Sequence, residues 1–137
     1  MVIIDKLEGL IQEDLRLNTR AKMAELLRVH PKAVHVSGAI IVSEILSGEK
    51  TDRMSVSIVE LDGINAKVKN TICDASYYIL SGTGHFFTSD DKGDQMFKVN
   101  TGDLVYIPHD TIYHDAGKMR MLAIYTPAFS PDQVVRF

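Results

Sequence analysis

The chain changes its hydrophobic rhythm once. Between residues 5 and 28, Leu7, Leu10, Ile11 and Leu15 recur at three- and four-residue spacing, which predicts an amphipathic helix with one apolar stripe. Met23, Leu26 and Leu27 continue the stripe beyond Asn18 and Thr19. Either of those two residues can cap a second helix, so one long helix and two shorter ones are both open. Pro31 stops the segment, because proline disfavours helix in the residue before it.

After Pro31 the period becomes two. Alternating and β-branched stretches predict strands over Val34–Val36, Ala39–Leu46, Met54–Leu61, Ala66–Thr71, Ser76–Leu80, His85–Thr88, Met96–Val99, Leu104–Ile107, Ile112–His114 and Met119–Tyr125. Turn residues separate them, among them Ser47-Gly48, Asp62-Gly63, Ser81-Gly82, Lys92-Gly93, Thr101-Gly102, Pro108 and Gly117. Short strands at this spacing predict a sandwich or barrel, not a βαβ fold. The division is then a helical extension over 1–32 and a β-barrel over 33–137, one domain overall. The aspartate-rich Thr88–Gln95 lacks the ligand spacing of a calcium loop and reads as a solvated hairpin tip.

Composition narrows the function. With 137 residues, 45% of them hydrophobic, the chain has enough material for a real core. A formal charge of -3, with no lysine and arginine cluster, argues against nucleic acid as a partner. No apolar run is long enough to span a membrane, and the first residues lack the pattern of a secretory signal. Cys73 is the one cysteine, so no internal disulfide forms, and a reducing cytoplasmic location is expected. Without a paired histidine in sight, Cys73 reads as a buried, inert thiol.

Two stretches carry the strongest signal. YYILSGTG, Tyr77 to Gly84, runs a strand into a glycine stop, and GDLVYIP, Gly102 to Pro108, answers it with a strand that ends at proline. Together they resemble the two motif regions of the cupin family, with Gly82, Gly102 and Pro108 at the family's separations. The resemblance covers residues 54–127 and implies a jelly-roll barrel around a pocket. It also implies where metal ligands would stand, and those positions are substituted. Asp110 occupies the second glycine of the second motif and Tyr113 its histidine, with His114 one place late. Anchored on Gly82, the first motif puts Ala75 at its glutamate. Its two histidines fall on Lys69 and Thr71, or on Val68 and Asn70.

The resemblance therefore implies the container without a resident metal. Alternation back from Gly82 puts Ala75, Tyr77 and Ile79 on the inward face, and Tyr113 and Asp115 on the equivalent face after Pro108. An apolar cavity with two phenols and one carboxylate suits a small organic ligand. Tyr77 and Tyr113 are candidate general acids and Asp115 a candidate base; core-filling tyrosines are the plainer reading of each. Lys69, Thr71 and His85 complete the candidate lining, with solvated lysines as the natural reading of Lys67 and Lys69. If a divalent metal is bound after all, a bulge turning His114 inward would join it to His85 and Asp74.

Three functions stay open. One is a metal-independent isomerase, epimerase or lyase acting on a polar or carbohydrate-like molecule. The others are a non-catalytic sensor or assembly protein, and a metal-dependent cupin enzyme with atypical ligands. Family members are often dimers, so the resemblance also implies a homodimer.

Overall fold

The computed structural model of the chain describes residues 23–28 and 32–137. The predicted helix lies largely outside the described residues. Its described end, 23–28, is irregular instead of helical, with Met23, Leu26 and Leu27 exposed. Glu25 is held there by an ion pair of 2.6 Å to Lys50.

The period-two region folds into nine strands: β1 (Lys32–Ser37), β2 (Ile40–Leu46), β3 (Ser55–Ile64), β4 (Val68–Asn70), β5 (Asp74–Asp90), β6 (Gly93–Asn100), β7 (Leu104–Ile107), β8 (Ile112–Thr126) and β9 (Val134–Arg136). A short 3-10 turn, Pro131–Gln133, leads into β9. All pairings are antiparallel and join one curled sheet. β5 and β8 form its spine, paired from Asp74↔Thr126 to Ser89↔Ile112. On one flank β8 carries β3, then β2 and β1, and near its start it carries β4 and β9. On the other flank β5 carries β7 along its first half and β6 along its second.

The spine differs from the sequence expectation in one respect. Ser76–Leu80 and His85–Thr88 are one strand, as are Ile112–His114 and Met119–Tyr125. The intervening glycines bend the strands instead of ending them. Gly84 lies opposite Gly117, and a Cβ built on Gly117 would stand 2.6 Å from the Gly84 Cα. Only glycine lets two backbones cross that closely.

The core lies on the concave face. Phe86, Leu61, Ile79, Ile107 and Met121 are fully buried there, each contributing about 1.5–3 kcal/mol by leaving water. Strand alternation sets that face: β3 buries Ser55, Ser57, Val59 and Leu61, while β8 buries Tyr113, Asp115, Met119, Met121 and Ala123. One irregularity changes the phase. β5 has a bulge between Ile79 and Ser81, so the inward positions pass from odd numbers (Ala75, Tyr77, Ile79) to even ones (Gly84, Phe86). Pro108 leaves the sheet into a tight turn in which Asp110 takes a φ of 64°, the left-handed conformation favoured by glycine. Aspartate is one of the few residues besides glycine that tolerate it.

Candidate active site

Three tyrosines meet inside the curl. Tyr77 comes from β5, and Tyr113 and Tyr125 from the two ends of β8. The Tyr77 hydroxyl lies 2.7 Å from that of Tyr113 and 2.6 Å from that of Tyr125. Phe86 packs on Tyr77 with ring centres 5.4 Å apart, and Phe129 covers Tyr125 at 5.2 Å. Tyr113 and Tyr125 also interact with each other, so the three hydroxyls form one hydrogen-bonded cluster whose members can each donate and accept.

Asp115 shares this face, two residues after Tyr113. Its side chain is almost wholly withdrawn from water, at 4% exposure. Asn65 holds it twice: Asn65 Nδ2 donates to Asp115 Oδ1 at 3.1 Å, and the Asn65 backbone N–H donates to the Asp115 carbonyl at 2.9 Å. Burial pushes the Asp115 carboxyl above the usual carboxylate range, partly offset by the bond from Asn65. Burial likewise raises all three phenols, Tyr77 and Tyr113 far above the ordinary value, so they act as neutral donors. Asp115 adds to the rise at Tyr113 and Tyr125, so carboxylate and phenols form one electrostatic unit. A carboxylate poised upward beside a phenol chain is equipped to take a proton and return one.

The remaining candidates divide between the inner face and the outside. Ala75 and Ile79 are buried on the same face as Tyr77. Lys69 is not in the lining: Val68 takes the inward place, packed against the core, and the alternation turns Lys69 outward. Thr71 sits at the end of β4 and donates its hydroxyl to the Gln133 carbonyl at 3.0 Å. His85 stands outside because the bulge shifts the phase of β5; its ring is stacked near Phe87, which stacks in turn on His114 at 4.6 Å.

The substitute metal trio therefore does not assemble. His85 and His114 are on the outer face, and Asp74 is engaged with His109 and Tyr106 at the rim. Among the described residues no three histidine, cysteine or acidic side chains converge. At the family's ligand positions a methyl group (Ala75) and a phenol (Tyr113) face the interior. Neither is the imidazole or carboxylate that a first-row metal requires of such a set. The residues do not fit the group.

Sequence reasoning missed Tyr125 and Asn65. Tyr125 stands an even number of residues after Tyr113 on one unbroken strand, so parity alone places it inward once Gly117 is taken as a bend. Cys73 is buried and its thiol lies 3.1 Å from both the Pro127 carbonyl and Gln133 Oε1. Burial raises its pKa, which keeps it a thiol. Asn70, buried beside it, accepts the Ile72 and Cys73 backbone N–H groups at 2.9 and 2.6 Å, while its Nδ2 lacks an acceptor. An open concavity of about 710 Å³ lies away from the phenols, floored by Leu61 and Met119. Its rim charges Glu60 and Arg120 face each other across the strands, 3.6 Å apart.

At the rim, His109 Nδ1 lies 2.8 Å from Asp74 Oδ1, and the His109 N–H donates to the same oxygen at 2.9 Å. The bond from His109 lowers the Asp74 pKa and, reciprocally, raises that of His109. The pair stabilises the fold between those two values. The benefit is lost as pH falls through the depressed Asp74 value and as pH rises through the elevated His109 value. Both groups are solvated, so the effect on stability is small. A ring-proton titration by NMR should put His109 above the ordinary imidazole value of 6.5, returning toward it in Asp74→Asn. A wild-type value at or below that of a free imidazole would contradict the bond.

No protein-family model matches the chain, and no curated protein is similar to it in sequence. Solved structures are similar in shape. Pac13 from Streptomyces, described as a unique nucleoside dehydratase with a β-barrel, superposes with a TM-score of 0.70 at 19% identity, over 85% of this chain and 92% of its own. It has been solved with uridine in variants that replace single histidine or tyrosine residues. Oxalate decarboxylase from Bacillus subtilis superposes with a TM-score of 0.73 at 15% identity, over 88% of this chain and 34% of its own. At such identities the likeness is one of fold. The curled antiparallel sheet, the glycine and proline skeleton and these two superpositions agree: the chain has the cupin fold.

Proposed function

We propose that the barrel binds a small hydroxylated organic molecule against the tyrosine chain and converts it by acid–base chemistry carried by the protein's own side chains. The observation that carries this reading is Tyr77, hydrogen-bonded to both Tyr113 and Tyr125, with the buried Asp115 on the same face and in the electrostatic reach of Tyr113 and Tyr125. Asp115 takes a proton from a carbon next to a carbonyl. The phenol chain delivers a proton either to a departing hydroxyl, a lyase step, or to the oxygen of the enolate that forms, an isomerase step. In both cases charge develops where a neutral phenol can donate, so the bond strengthens as the reaction proceeds. The likeness in fold to a nucleoside dehydratase supports the lyase version by analogy alone. The expected homodimer is supported by the exposed apolar side chains Tyr78, Leu104 and Tyr106 on the outer face of β5 and β7.

The test uses uridine as a probe of binding and simple aldoses as probes of binding and conversion. Binding is followed by calorimetry, and conversion of the aldoses by NMR and mass spectrometry in D2O, which report deuterium entering beside the carbonyl and loss of water. Tyr77→Phe should lower conversion by about 10²–10⁴-fold, the usual contribution of a positioned acid or base. It should cost only about 1–3 kcal/mol of stability from the broken hydrogen bonds. Binding without conversion would favour the sensor reading. Conversion unchanged in Tyr77→Phe would sink the role of the phenol chain.

A further inference from the structure

The charges around the interior have a sign. Among the described residues the buried polar side chains are Ser55, Ser57, Asn70, Thr111 and Asp115, so the one buried charged group is a carboxylate. No described lysine or arginine is buried. Lys69 lies on the outward side of β4, and Lys118 and Arg120 on the outward side of β8, alternating with the buried Met119 and Met121. Arg136 is the cation nearest to an exception. It lies opposite Val68 and so on the inward side, but on the edge strand β9, where it is exposed.

We infer that the interior selects uncharged, hydroxyl-rich molecules and rejects their phosphorylated or carboxylated forms. The inference rests on the proposed interior ligand site and adds the ligand's charge class. An anion entering this space loses its water shell and finds no buried cation among the described residues in exchange. It also meets Asp115, and a like charge in a poorly solvated space costs more than in bulk water. A neutral polyol meets what the wall supplies: phenol and serine hydroxyls that donate and accept, and a carboxylate that accepts.

The experiment compares uridine, uridine monophosphate and the neutral dimethyl ester of that phosphate by calorimetry on the intact chain, with glucose and glucose 6-phosphate as a second matched pair. The ester separates charge from bulk. Neutral members should bind at least about tenfold more tightly than their phosphates, with the ester close to uridine. A phosphate that binds as well as its neutral partner overturns the charge selection and leaves the interior site standing. An ester as weak as the phosphate also overturns it, by assigning the loss to size. If no neutral probe binds, the interior site itself fails, and the selection with it.

Discussion

Asp115→Asn should lower conversion by about 10²–10⁴-fold while leaving the barrel as stable as the wild type, or more stable, at neutral pH. The two halves of this result have one cause. Burial raises the Asp115 pKa in the folded protein above its value in the unfolded chain. A raised acid stabilises the fold only while protonated. That contribution is complete below the unfolded carboxylate range and is lost as pH rises through the elevated folded value. Above the unfolded range, which includes neutral pH, burying this carboxyl is therefore a cost. Asparagine removes it and keeps the contact, because its amide oxygen can still accept from Asn65 Nδ2, now 3.1 Å from Asp115 Oδ1. Thermal melts from pH 4 to 8 should show the gain of the variant over wild type growing with pH. A variant that melts well below wild type at pH 8 would mean that Asp115 is structural, and its proposed role as base would lose its physical basis. Such a cost to stability is what a group retained for chemistry shows, not one retained for packing.

The parts of this site that were legible in the sequence are those fixed by local backbone. Gly102 and Pro108 read correctly because a turn or a strand stop is written in single residues, whereas Gly82, read as a stop, is a positive-φ residue inside the unbroken β5. Tyr77, Tyr113 and Asp115 fall on one face because strand parity is strict over a few residues. What could not be read depends on long-range geometry. The bulge at Leu80 turns His85 outward, yet no residue type there announces an extra position. Gly117 has the same composition signal as a turn, and reading it as one broke the parity that carries Tyr113 through to Tyr125. The register of β4 is fixed by its partners β8 and β9, the latter from the distant C-terminus, so whether Val68 or Lys69 faces inward was not a local question. Asn65 reaches Asp115 from 50 positions away, and such pairs are visible only once the chain is folded.

Two positive-φ glycines, one in the spine and one in the turn between β6 and β7, should respond differently to alanine, and the difference tests the bend on which the site depends. Gly82 has a φ of 89°, and a Cβ there would stand 2.1 Å from the Lys118 carbonyl oxygen. Neither backbone can move without parting β5 from β8, the pair that brings Tyr77 to Tyr113 and Tyr125. Gly82→Ala should cost about 4 kcal/mol or more, a large part of the roughly 5–15 kcal/mol that holds a domain of this size together. Gly102 has nearly the same φ, 93°, but nothing lies within 4 Å of its Cβ position. Gly102→Ala therefore meets only the left-handed backbone penalty of about 1–2 kcal/mol. Because the two sites share a conformation and differ in their surroundings, the difference in urea midpoint isolates the steric cost of the crossing. Equal midpoints would mean that the strands separate there readily, and that the phenols are not held together by the bend.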